Sequence, residues 1–213
     1  MFFPVKKIFW GLIVVVILLM AVYTFNTLSI NFLPEELPEA FIEKFHIDQE
    51  ANVPTWFSAS VLFSTGIASF LIYKLEKLLP DTDRFQYSFW LIFMGLFFFL
   101  SLDEAAMVHE FTGNMLNVGW VYLYAPVAVL LLAYCLYSLW GRKVVEPAAA
   151  RWITIGMMLA AFGGMFMEWI WFQFPLPYAW NQARLVLEEG GEMLGAIFIL
   201  RGVLTEANHR FQQ

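Results

Sequence analysis

This sequence contains very little cysteine and few charged residues. Cys135 is the only cysteine among 213 residues, so the chain cannot form an intramolecular disulfide, and its cysteine usage indicates no redox compartment. Charged residues make up 14 % of the chain and hydrophobic residues 61 %, whereas soluble domains carry about 25 % charged residues. This composition excludes an ordinary soluble domain and predicts an integral membrane protein.

Motifs for several common functions are also missing. The chain has no Gly-rich phosphate-binding loop, no Cys/His spacing of a zinc finger and no basic patch. A phosphate-loop nucleotide site, a zinc finger and an electrostatic nucleic-acid surface are therefore excluded. The hydrophobic segments, and the acidic residues within them, carry the remaining information.

Six hydrophobic runs follow one another along the chain, each approaching the length that a helix needs to cross a bilayer. The first follows Lys6 and Lys7, but it is longer than a signal-peptide core and no Ala-x-Ala-like cleavage site follows it, so we expect it to be retained. The predicted fold class is all-α, a polytopic membrane helix bundle forming one domain over 1–213. The predicted spans are about 8–28, 56–73, 85–110, 118–140, 150–174 and 183–203.

An acidic segment between the first two spans has its own periodicity. Leu37, Phe41 and Phe45 recur at every fourth residue, and Glu39 and Glu43 fall on the opposite side of a helix. This pattern is typical of an amphipathic helix. We therefore expect a short helix lying on the membrane surface.

Basic residues indicate the orientation of the bundle, because they flank alternate ends of the six spans. By the positive-inside rule, both termini are cytoplasmic and the acidic segment is outside, as in a bacterial inner-membrane protein. The basic residues assigned to the inside are Lys6, Lys7, Lys74, Lys77, Arg84, Arg142, Lys143, Arg151, Arg201 and Arg210.

Three spans carry acidic residues where lipid is expected. A charged residue near a span centre costs roughly 2.5–3.5 kcal/mol to insert, so such residues face the bundle interior or water, or are paired. At about 1.5 Å per residue, Asp103 and Glu168 lie roughly 26–28 Å from the inner surface, and the sixth span brings its acids to a similar depth. The residues are Asp103, Glu104, His109 and Glu110 in the third span, Glu168 in the fifth, and Glu188, Glu189 and Glu192 in the sixth.

Convergence of these groups would create strong repulsion, so the site would have to bind cations or protons. Carboxylates with one imidazole suit Zn, Fe, Mn or Ca. The expected catalytic residues are Glu189, as the base that activates a water molecule, and Glu104. The expected divalent-metal ligands are Asp103, His109, Glu110, Glu168, Glu188 and Glu192.

The leading hypothesis is a metal-dependent hydrolase that acts on membrane lipid or another amphiphile from the outer side. One alternative is a cation- or proton-coupled transporter, although the inner halves of the spans show almost no charge. Another is a non-catalytic membrane subunit or assembly factor. In that case the acids are ordinary interface groups or hydrogen-bond partners, with Arg184 paired to Glu188 four residues away.

Two further patterns bear on packing and on a second site. Gly191 and Gly195 form a G-x-x-x-G pair that favours close helix contact. Glu206-x-x-His209 has the spacing of a carboxylate-bridged metal motif, but it has no second copy and falls in a segment expected to be a polar cytoplasmic tail. We interpret that motif as surface residues.

Ser101, Asp103 and His109 near one face loosely resemble the ceramidase and progestin-receptor-type membrane hydrolases. The zinc site of those proteins uses three histidines with a nearby serine and aspartate. This chain has one intramembrane histidine, so the resemblance implies a membrane hydrolase without transferring its metal site.

Overall fold

Helices account for all regular secondary structure in the part of the chain that the computed structural model describes, which is residues 3–32, 38–47, 52–79, 83–174 and 176–212. This confirms the all-α prediction. Five helical segments are long and apolar enough to cross a membrane, which supports an integral membrane protein. They are Val5–Leu28, Val53–Leu78, Arg84–Ala106, Trp120–Gly141 and Pro147–Gln173.

Nine α-helices lie in these described ranges. Two of the long helices continue into π-helical segments, α6 into Tyr137–Gly141 and α7 into Ala161–Met167. The α-helices are α1 (Val5–Phe32), α2 (Glu39–Lys44), α3 (Val53–Leu78), α4 (Arg84–Ala106), α5 (Val108–Leu116), α6 (Trp120–Leu136), α7 (Pro147–Ala160), α8 (Glu168–Gln173) and α9 (Tyr178–Arg210).

Polar residues in the connecting segments cap the N-termini of α3 and α7. The Asn52 side chain accepts a hydrogen bond from the Thr55 N–H, and Glu146 accepts bonds from the N–H groups of Ala148 and Ala149. Each satisfies donors that the first helical turn leaves without an intrahelical partner. Proline in the first turn of α3 and α7 fits because that position needs no N–H donor.

Phe3 and Asn208, near the two ends of the described residues, meet at one end of the bundle, which we call the terminal end. The Phe3 N–H donates to Asn208 Oδ1 over 2.8 Å, and Asn208 Nδ2 donates to the Phe3 carbonyl over 2.9 Å. Farther along, the Tyr23 hydroxyl donates to Gln182. α1 and α9 are therefore antiparallel, and the opposite end, which carries Asp103, is called the acidic end.

Helix α9 packs against α1, α3 and α7 and is longer than the predicted span 183–203. Its final turns contain buried Glu206, Ala207 and Asn208. The expectation of a polar tail after residue 203 is therefore wrong. The polar side chains of this segment bind other parts of the bundle, and so they fold with it.

A six-residue helix, α2, lies between α1 and α3, and its amphipathic character stays a prediction. The Phe41 and Phe45 rings lie 4.9 Å apart, as the four-residue spacing predicts. Leu37, the first residue of the proposed apolar stripe, lies outside the described residues. The placement of α2 on a membrane surface stays a prediction.

Candidate functional site

A break between α4 and α5 brings Asp103 and His109 together. Met107 adopts a left-handed backbone conformation with φ 55°, which ends α4 and redirects the chain into α5. Asp103 Oδ1 then accepts a hydrogen bond from the His109 backbone N–H over 2.8 Å, and Asp103 Oδ2 lies 3.0 Å from His109 Nδ1. Both carboxylate oxygens of Asp103 thus bind His109.

This geometry corrects the expectation from an uninterrupted helix. On a helix continuous to residue 110, Asp103 and Glu110 share a stripe while Glu104 and His109 point to either side. The third long helix instead ends at Ala106, and the left-handed Met107 turns His109 back toward Asp103. Such a conformation is uncommon for a residue other than glycine, and no local pattern in the sequence signals it.

The pKa of His109 is raised above its ordinary value. Burial alone would lower this pKa, but the hydrogen bond and negative charge of Asp103, together with the charges of Glu110 and Glu192, more than offset burial. The Asp103–His109 pair is therefore stabilised by protonation of the imidazole.

Replacing Asp103 with asparagine is expected to lower the pKa of His109. In the wild-type protein, the stabilisation from protonated His109 is complete below about pH 6.5, the ordinary value, and is lost as pH rises through the higher folded-state pKa. The variant should lose most of this pH dependence. Histidine NMR titration in detergent micelles measures the pKa, and an unchanged His109 titration would contradict the proposed coupling.

A second polar group joins α8 and α9 through Arg184. One guanidinium nitrogen lies 3.3 Å from Glu168 Oε2 and also binds Glu188, while Nε donates to Asn181 Oδ1 over 3.0 Å. The Arg184 and Glu188 side chains are almost completely buried. The Arg184–Glu188 pair considered from sequence is therefore confirmed, and Glu168 is brought to it across helices.

Glu192 is linked electrostatically to both of these groups. Its charge acts on His109 and Glu188, and its carboxyl group occupies the space where a β carbon on Gly164, in the π-helical segment that leads into α8, would lie. A β carbon at Gly163 would lie only 2.5 Å from the Glu188 carbonyl oxygen. Glycine thus permits the close approach that places Glu168 beside α9, and π-helical turns of this kind frequently occur at functional sites.

An acidic cleft of about 410 Å³ opens beside the two groups. It lies between α5, the turn into α6, and α8. His109 adjoins it through Trp120, whose ring centroid is 4.6 Å from that of the imidazole. The side chains that line the cleft are mainly carboxylates, amides and aromatic rings, namely Glu110, Asn114, Asn117, Trp120, Glu168 and Phe172.

The predicted site residues do not converge on a single point. Among the residues that the structure describes, no three His, Cys, Asp or Glu side chains form a group suited to holding a metal ion. Asp103 contacts His109. Arg184 is contacted by Glu168 and by Glu188. Glu110 lines the cleft together with Glu168. Glu104 and Glu189 are half-buried sequence neighbours of Asp103 and Glu188 and are not among the cleft-lining residues.

Sequence reasoning missed a buried polar network at the terminal end. Arg210 lies 2.9 Å from Glu76 Oε1 and 2.6 Å from Glu206 Oε1, and Glu206 Oε2 accepts the Glu146 N–H over 2.8 Å. Gln86 donates to Glu76 over 3.1 Å. The signal was an acid–arginine pair four residues apart, Glu206 and Arg210, which was interpreted as part of a solvated tail.

Ser101 is not part of the Asp103–His109 pair. Its hydroxyl donates to the Ala59 carbonyl over 2.8 Å and links α4 to α3. The serine of the loose resemblance to membrane hydrolases therefore has a helix-packing contact here.

Comparison with known proteins defines the family without assigning a chemistry. No curated protein and no solved structure matches the chain. A family model described as a domain of unknown function, DUF8692, matches residues 10–206. This range includes both polar groups, the acidic cleft and most of the terminal network. The chain belongs to the DUF8692 family.

Proposed function

We propose that α9 is a sixth membrane span and that both termini are cytoplasmic, with the acidic end facing outward in a bacterial inner membrane. The antiparallel pairing of α1 with α9 supports this topology, as do the basic residues that flank the terminal end. α2 then lies at the outer surface with its apolar stripe toward lipid. A reporter that is active only in the cytoplasm should be active when fused after Gln213, and a reporter that is active only after export should be inactive there.

We propose that the outward-facing carboxylate/His site acts on a lipid-like or amphiphilic substrate, by hydrolysis. The observation that supports this best is the Asp103–His109 pair beside the acidic cleft. A carboxylate on Nδ1 orients the imidazole and leaves Nε2 for proton transfer, which is the arrangement of a general acid–base histidine. His109 would activate water, and Asp103 would position His109.

A divalent metal in this proposal requires a different arrangement from that expected. Asp103 uses both oxygens on His109, so its role would be to orient a ligand, as carboxylates behind metal-binding histidines do. His109 would then be one ligand, and the carboxylates that complete the site would have to move toward it, because the described residues form no group of three His, Cys, Asp or Glu side chains suited to a metal ion. Metal analysis by mass spectrometry tests this: near-stoichiometric metal that is lost in the Asp103→Asn/Glu168→Gln double variant supports it, and no metal in either protein rejects it.

Replacing His109 with glutamine is expected to reduce substrate turnover by at least about 100-fold, the lower range for loss of a general acid–base group. Purified protein is reconstituted into vesicles of mixed membrane lipids, and products are followed by lipid mass spectrometry over time. His209→Gln is the matched control, because His209 is exposed at the terminal end. Equal product formation by the wild type and His109→Gln would contradict a catalytic role for His109.

The second candidate function is cation- or proton-coupled transport. The argument against it was the lack of charge in the inner halves of the spans, but Glu76 and Glu206 are completely buried with Arg210 at the terminal end. Intramembrane ionisable groups at both ends of α9 are typical of ion pathways. Proton or cation flux into reconstituted vesicles that is lost in Glu192→Gln would favour transport over hydrolysis.

A further inference from the structure

The acidic cleft has a lining that favours one kind of ligand. Among the described residues that line it, none is a lysine or arginine, whereas Glu110 and Glu168 contribute carboxyl groups. A phosphate or carboxylate entering the cleft would meet negative charge without a basic side chain to bind it. The lining therefore selects for a positively charged group.

Carboxyl groups outnumber basic side chains in the contacts described around the cleft. The carboxyl groups of Asp103, Glu110 and Glu192 lie within electrostatic reach of His109, and those of Glu168 and Glu192 within reach of Glu188. Arg184 and His109 are the only basic side chains in these contacts. Asp103, Glu110, Glu168 and Glu188 thus share at most two positive charges in these contacts, and a partly buried excess of this kind attracts cations or protons.

Aromatic rings and amides distinguish an organic cation from a bare metal ion. Trp120 and Phe172 line the cleft together with Asn114 and Asn117. Rings attract alkylammonium groups through their π-electron faces, whereas a divalent metal needs several oxygen or nitrogen ligands within about 2.0–2.6 Å. A cavity of about 410 Å³ is also within the roughly 300–1,000 Å³ typical of small-molecule sites.

We propose that the cleft between α5 and α8 binds an alkylammonium group, with Glu110 and Glu168 supplying negative charge and Trp120 and Phe172 supplying aromatic contacts. The group belongs to a lipid headgroup or to a free amine. This inference rests on the proposed function, because it names the class of amphiphile that would place its headgroup beside His109.

Isothermal calorimetry with tetramethylammonium chloride tests this site. The protein is held in uncharged detergent, and sodium chloride at equal ionic strength is the reference. We expect saturable binding that weakens at least tenfold in Glu110→Gln and several-fold in Phe172→Leu. Glu43→Gln, which removes an exposed acid from α2, should leave binding unchanged. Tetramethylammonium binding no stronger than sodium binding, or equal binding by wild type and Glu110→Gln, overturns the proposal.

A second arm distinguishes the two sources of the ammonium group. Nanodiscs of phosphatidylcholine are compared with nanodiscs of phosphatidylglycerol, which lacks an ammonium group. Weaker tetramethylammonium binding in phosphatidylcholine alone supports a lipid headgroup, and equal binding in both supports a free amine. Glu110-dependent binding without lipid turnover would reject hydrolysis and support the ammonium-binding cleft. His109-dependent turnover without ammonium binding would reject the ammonium-binding cleft and support hydrolysis.

Discussion

Replacing Arg210 with methionine is expected to lower the free energy of unfolding by about 3–5 kcal/mol, the cost of leaving buried charges without their partner. Glu76 and Glu206 are 1 % and 0 % exposed and both contact Arg210. Arg210 also donates to the Val144 carbonyl over 3.0 Å. Its loss would therefore affect α3, α9 and the segment before α7 together. Equilibrium unfolding in mixed detergent micelles measures the change.

Arg142 provides a matched control for this prediction. Arg142 and Asp83 lie 2.7 Å apart, but their side chains are 44 % and 56 % exposed. Replacing Arg142 with methionine should cost no more than about 1 kcal/mol, because water screens exposed ion pairs. Adding Glu76→Gln and Glu206→Gln to Arg210→Met should recover part of the lost stability, since fewer buried charges are left unpaired. Equal destabilisation by the two arginine variants would contradict the importance of burial.

Replacing Gly195 with leucine is expected to destabilise the protein by about 3 kcal/mol or more, the upper range for adding bulk to a packed interior. A β carbon on Gly195 would lie 2.6 Å from the Ala160 backbone nitrogen and 2.7 Å from the Gly156 carbonyl oxygen. Neither backbone atom can move aside without separating α7 from α9. Thermal unfolding in detergent, followed by circular dichroism, measures the loss.

Gly95 is the control for the glycine substitution. It lies in the middle of α4, and no atom that a β carbon would meet lies within 4 Å. Gly95→Leu should be neutral or slightly stabilising, because leucine favours a helix over glycine by up to about 1 kcal/mol. If Gly95→Leu and Gly195→Leu destabilise the protein equally, the cost comes from the helix backbone and not from contact between α7 and α9.

Close packing of α9 was partly predictable. The G-x-x-x-G pair Gly191 and Gly195 correctly indicated a helix contact, since small residues four apart lie on one helix face. Its partners, Gly156 and Gly163, could not be identified because sequence spacing describes one helix at a time. Depth counting predicted a similar depth for Glu168 and Glu188, and both contact Arg184, but the choice of Arg184 as their shared partner depends on the π-helical approach of α8 to α9.

Sequence by itself determined the membrane class, the all-helical fold and the approximate positions of the long helices. Those properties follow from hydrophobic runs, because a segment in lipid must satisfy its backbone hydrogen bonds within its own helix. Tertiary structure alone decided how the polar residues pair. The left-handed Met107 turned His109 toward Asp103, and the fold of the terminal end buried Glu206 with Arg210. Such pairings depend on contacts between segments distant along the chain, which local periodicity does not specify.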